Sequence, residues 1–152
     1  MIKINKNVIK KFNPCKERFD NYLEHYSTFN GSFDDFLDLD KISYFDKIWI
    51  AKKVLNKNEL VHFAVLCAQS VLSIYENKYP NDSRVRDCIE YMMNITDFSN
   101  LDPTKLNKLK ELRSAAYAAY KAACAAADDA NDAARKAQED LNLSFLKIVS
   151  KL

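Results

Sequence analysis

Apolar residues return at spacings of three and four along most of this chain, which is the periodicity of helices packed on one face. Cys15, Phe19, Tyr22, Leu23 and Tyr26 form a first stripe. Asn13 is its expected cap and Pro14 its first helical residue, where the missing N–H costs no hydrogen bond. "FNGS" ends that helix, with Gly31 placed to turn the chain. A short helix is expected over roughly 32 to 39, capped by Ser32, with Phe33, Phe36 and Leu37 inward. Ser43 caps the next, Asp46 sits near its free amides, and Phe45, Ile48, Trp49, Val54 and Leu55 make it amphipathic to about Asn56.

From Leu60 to Tyr75 the apolar residues run almost all around the helix wheel. That pattern predicts a central helix covered by its neighbours, capped by Asn58 and stopped by Pro80. A fifth helix over about 83 to 95 turns Val85, Cys88, Ile89, Met92 and Met93 inward. Asp102-Pro103 opens the last helical region, which meets no Gly or Pro before Leu152. The places open to a break or kink are "ADDAND" and Asn142, where short polar side chains compete for backbone bonds. Within this region Ala115, Ala119, Ala122, Ala126, Ala130, Ala133 and Ala137 make one shallow stripe, with Tyr117 and Tyr120 beside it. Alanine has the highest helix propensity, and its small bulk lets another helix approach closely. The stripe suits internal helix packing, or docking of a partner or a second copy.

Composition sharpens the picture in one respect. One glycine and three prolines among 152 residues leave few of the turns that a sheet-rich fold needs. The expectation is an all-α, single-domain bundle of about six helices over residues 1–152. It comprises a basic arm over 1–12 (a short strand or a loose segment), core helices over 13–100, and a long alanine-rich C-terminal helix over 101–152. Net charge is +2, which names no partner and gives no reason to expect direct nucleic-acid binding. Its distribution is uneven. Residues 1–18 are lysine-rich, and 20–46 hold Asp34, Asp35 and Asp38 among other acids, a segment suited to a basic partner surface. The four cysteines form no CxxC pair, and no apolar run reaches the ~18 residues of a membrane span. No leader is apparent either, so a cytoplasmic location in a bacterial cell, with the gene either bacterial or phage-borne, is the expectation.

Reactive chemistry finds no foothold in the pattern. His25 and His62 are the only histidines, and neither has a cysteine at chelating distance along a helix. No Cys–His signature or phosphate-cradling glycine loop occurs, and Asp34-Asp35 and Asp128-Asp129 are adjacent residues pointing about 100° apart on a helix. No catalytic residue, metal or cofactor is therefore assigned. The polar stretch that stands out is "YENKYPNDSRVRDCIEY", a helix–proline–helix corner with Glu76, Tyr79, Asp82, Arg84, Arg86 and Glu90. Arg86 and Glu90 can pair four apart, and Asp82 or Ser83 can cap. The corner is structural, a polar contact surface, or an anion site built on both arginines.

"NPC" at 13–15, "WIAKKVL" at 49–55, "CAQSVLSIYENKYPNDSRVRDCIE" at 67–90 and the alanine–tyrosine region from Arg113 together resemble one family. It comprises the alanine-rich immunity proteins of the fifth numbered class in bacterial polymorphic-toxin systems, with their phage-encoded relatives. The positions that match its motif are Cys67, Ala68, Tyr75, Glu76, Tyr79, Pro80, Asp82, Arg84, Arg86, Ile89 and Glu90. Val65 stands where members often carry a second cysteine, Val85 where many carry proline, and the alanine block is shorter and more charged. The resemblance implies an all-helical, non-catalytic inhibitor that neutralises a toxin or effector by covering its surface. Two alternatives use the same features. One is a phage or mobile-element protein that blocks a host nuclease complex in the manner of an anti-CRISPR. The other is a structural protein that self-associates through the alanine face. Partner contacts are expected at the corner, at Tyr117 and Tyr120, and at Asp34, Asp35 and Asp38.

Overall fold

The computed structural model of the chain describes residues 3–124 and 132–151, with side chains from 115 to 138 described only at Lys136. The fold is all-α, with eight helices among the described residues and one two-stranded ladder. Two compact units divide the chain: Met1–Leu60 with Glu139–Leu152, and Val61–Gln138.

The first unit starts with β1 (Lys3–Asn5) and α1 (Lys6–Lys11), so the lysine-rich leader is ordered structure and not a loose arm. Asn5 caps α1 by accepting from the amides of Asn7 and Val8, and Ile4 and Ile9 are buried. Asn13 does not cap the next helix. It follows α1 with φ 56° and donates its N–H to Lys10 O, the left-handed terminating position that asparagine tolerates. Helix α2 (Lys16–Tyr26) is flanked by Cys15, which makes no side-chain cap bond, and Tyr22 is its buried residue.

Gly31 does not turn the chain. It lies in β2 (Asn30–Ser32), paired antiparallel with Ile4. A Cβ there would stand 2.7 Å from Phe29 Cζ and 3.0 Å from Asp35 Cβ, so close approach explains the glycine. Ser32 then opens α3 (Phe33–Leu37) with a reciprocal capping box to Asp35, and Phe33, Phe36 and Leu37 are all buried as expected. Ser43 caps α4 (Tyr44–Val54) by accepting from the Asp46 amide. Its buried face carries Lys47, Ile50 and Ala51, which leaves Phe45, expected inward, 68% exposed.

Helix α5 (Lys57–Lys78) is capped by Asn56, two residues before the expected Asn58 cap. Asn56 Oδ1 accepts from the Glu59 amide at 3.0 Å, and Glu59 accepts from the Asn56 amide at 2.6 Å, a second capping box. Among the described residues the expected all-round burial is not seen: Val65 is the buried residue of α5, while Ile74 is 69% exposed. Apolar composition therefore marks a long helix here without reporting which faces are packed. Helix α6 (Arg84–Met93) packs along α7 (Pro103–Cys124) and buries Cys88 and Ile89, but Met93 is half exposed. Between them Ile95 and Phe98 are buried, with the His62 ring edge-on to Phe98 at 6.3 Å. Asp102 caps α7 through the Lys105 amide, as its Asp-Pro start predicts.

Helix α8 (Asp132–Val149) continues through Asn142 without a break. Asn142 donates to Tyr44 Oη, and Leu146 and Val149 are fully buried. The "ADDAND" break, and with it the continuity of the alanine-rich helix, falls outside the described residues.

Candidate functional site

The corner between α5 and α6 gathers most of the polar residues singled out above. Pro80 has no N–H to continue α5, so the chain turns through Asn81 to Ser83 into α6. Asp82 is the hinge pin of the turn. Its carboxylate accepts from Tyr75 Oη at 2.7 Å, from Arg84 Nε at 2.8 Å and Nη2 at 2.5 Å, and from the Arg84 amide at 3.2 Å. These donors, Arg84 first, hold the Asp82 carboxyl well below the usual carboxylate range. Burial, then the bond to Asp82, pushes the Tyr75 phenol up.

Arg86 makes the second clasp. Its Nε and Nη2 meet Glu76 Oε1 and Oε2 at 2.7 and 2.6 Å, a fork-to-fork pair joining α6 to α5. Glu90, the partner expected from spacing, is the weaker contact at 3.7 Å. The Tyr75 and Tyr79 rings lie 5.1 Å apart beneath this polar edge, with Lys78 Nζ 5.9 Å from the Tyr79 ring. A depression of about 350 Å³ opens beside the clasps, lined by Glu76, Asn77, Pro80, Asn81, Asp82, Ser83 and Arg86.

Arg84 and Arg86 are 50% and 48% exposed. Ion pairs this wet contribute little to folding. Their geometry is nevertheless fixed, because each guanidinium is held by two parallel bonds. Both forks being spent on carboxylates argues against a two-arginine anion site. What remains is an edge of alternating charge.

The acidic residues of the first unit behave differently. Asp35 is spent on the Ser32 cap, and the bonds to Ser32 lower its pKa. Asp34 binds Lys151 Nζ at 3.0 Å and Ser150 Oγ at 2.9 Å, and Asp38 pairs with Lys147. Arg18 likewise meets Asp46 at 2.8 Å. Asp34, Asp38 and Asp46 thus each meet a cation within the same unit. The hint available in advance was the cationic ending "KIVSKL". Tyr117, Tyr120 and the alanine stripe lie outside the described side chains.

Among the described residues no cluster of three or more His, Cys, Asp or Glu could hold a metal ion, and no helix is long and apolar enough to cross a membrane. Burial pushes the Cys67 thiol up to about 11 and raises Cys88 as well, so both are protonated at neutral pH.

In comparison with known proteins, the model of one family, described as "Imm-5 like putative immunity protein", matches residues 52–140. That span contains the whole α5–α6 corner. No curated protein and no solved structure matches the chain.

Proposed function

Because the chain belongs to the Imm-5 like putative immunity protein family, we propose that it neutralises a protein toxin or effector by binding and occluding its surface, with no reaction of its own. The observation that carries this reading is the clasped corner inside the matched segment. Two bidentate arginine–carboxylate pairs present charge of both signs in fixed positions. Such an edge can bind without first ordering its side chains, and preorganisation of that kind lowers the cost of association. The tyrosine pair beneath it adds apolar contact area.

Co-expression with toxin genes neighbouring its own tests the proposal. Growth should be restored by the wild-type chain and lost again with Arg84→Glu/Arg86→Glu, checked for retained helicity by circular dichroism. Failure of the wild type to rescue growth against every neighbouring gene would overturn the immunity reading. Rescue that persists undiminished in the double variant would move the contact surface elsewhere on the chain.

A further inference from the structure

The lysine-rich start of the chain, which the clasped corner does not use, ends against the last turns of α4. Phe12 follows α1 directly and meets the Trp49 ring edge-on, with centroids 6.4 Å apart. Ile9, Tyr22, Trp49 and Ile50 line one depression of about 320 Å³ in the first unit. The ends of α1 and α4 are thus joined at an aromatic contact. Each brings two lysines to it, Lys10 and Lys11 from α1, Lys52 and Lys53 from α4. All four are exposed, and Lys53 Nζ lies 5.6 Å from the Trp49 ring. Lys10, Lys11 and Lys52, with Lys3 and Lys6 earlier in the chain, make no ion pair among the described residues. The acids that could answer them are engaged elsewhere. Asp20 pairs with Lys16, Asp46 with Arg18, and Asp34 and Asp38 with Lys151 and Lys147, while Glu59 serves the α5 cap. Glu17 is the single acid before Asp20. Positive charge is therefore left over where the two helices meet.

We propose that the α1–α4 junction is a docking face for an acidic segment of a partner protein. Carboxylates of that segment pair with Lys10, Lys11 and Lys52, and the half-buried rings of Phe12 and Trp49 supply an apolar centre among the charges. An ammonium on a long stem is a mobile point charge, which suits a run of carboxylates better than one fixed fork would. A nucleic acid fits this face less well. Its phosphates form a continuous line of negative charge, whereas Asp46 lines the depression beside Trp49 and the whole chain carries only +2. Apart from Lys52 and Lys53, every residue of the face precedes the family-matched segment. The inference does not rest on toxin neutralisation.

The full chain, labelled for amide NMR, is titrated at low salt with a Glu-Ser repeat peptide and, separately, with an oligothymidylate of equal charge. The peptide should give saturable shifts at residues 10–13 and 49–54 and at the indole N–H of Trp49, the single tryptophan. Residues 105–110 should stay silent although they are also lysine-rich, because Asp102 and Glu111 stand beside Lys105 and Lys108. Lys11→Gln/Lys52→Gln, with helicity checked by circular dichroism, should weaken the peptide about fivefold, the size of two exposed ion pairs. Added salt should weaken it further as screening shortens the reach of the charges. Absence of saturable shifts would overturn the proposal, as would shifts spread equally over residues 105–110. Unchanged affinity in the folded double variant, or tighter binding of the oligothymidylate than of the peptide, would overturn it too.

Discussion

Asp82 shows how one residue converts a local sequence signal into rigid geometry. Its spacing before Arg84 marks it as a capping candidate, but the bond from Tyr75 depends on how the chain turns at Pro80, which spacing does not report. The carboxylate is held below its ordinary pKa, so its contribution to stability is present above that ordinary value of about 4 and drains away as pH falls below it. Asp82→Asn should lower the melting temperature at neutral pH, and the gap to wild type should narrow as the pH drops under about 4. Thermal melts followed by circular dichroism across that range check it, and a pH-independent gap would assign the loss to something other than charge. Gly31 carries a similar lesson. Its identity suggested a turn, whereas it is required because Phe29 and Asp35 crowd a strand position.

At the scale of elements, the start and stop signals were legible wherever they are purely local. Ser32, Ser43 and Asp102 cap the helices they precede, since a cap needs only its own three or four residues. The α5 cap was placed two residues late because Asn56 and Asn58 are chemically alike, and Glu59 decides between them by returning a bond to Asn56. Asn56→Ala should therefore cost about 1 kcal/mol, measured by urea unfolding. Buried faces were harder to read. Phe45, Ile74 and Met93 are apolar at helical spacing yet exposed, because a stripe says that a helix has a face and not how that face is rotated against its neighbours.

For the molecule as a whole, the consequential feature is that chain ends far apart in sequence share one unit. Leu146 and Val149 are completely buried in it, and Lys147, Ser150 and Lys151 hold Asp38 and Asp34 of the α3 end. The last turns of α8 thus complete the first unit's core. Leu146→Ala should destabilise by about 2–5 kcal/mol, whereas Ile148→Ala, at a 54% exposed neighbour, should stay within about 0.5 kcal/mol. Hydrogen exchange after Leu146→Ala should report lost protection in residues 3–60, and protection left intact there would dissociate α8 from that core.

By itself the sequence determined the all-α class, most helix boundaries and the membership of the charged corner. Each of these rests on periodicity, capping and proline chemistry within a few consecutive residues. Tertiary structure alone decided that Arg86 holds Glu76, that Asp34 and Asp38 are met by the C-terminal lysines, and that Tyr22 is buried beside an aromatic pocket. Those outcomes depend on side chains from ten to more than a hundred positions apart, as Glu76 and Arg86, and Asp34 and Ser150, are. Only the packed chain brings such groups within bonding distance, and no short-range pattern encodes that meeting.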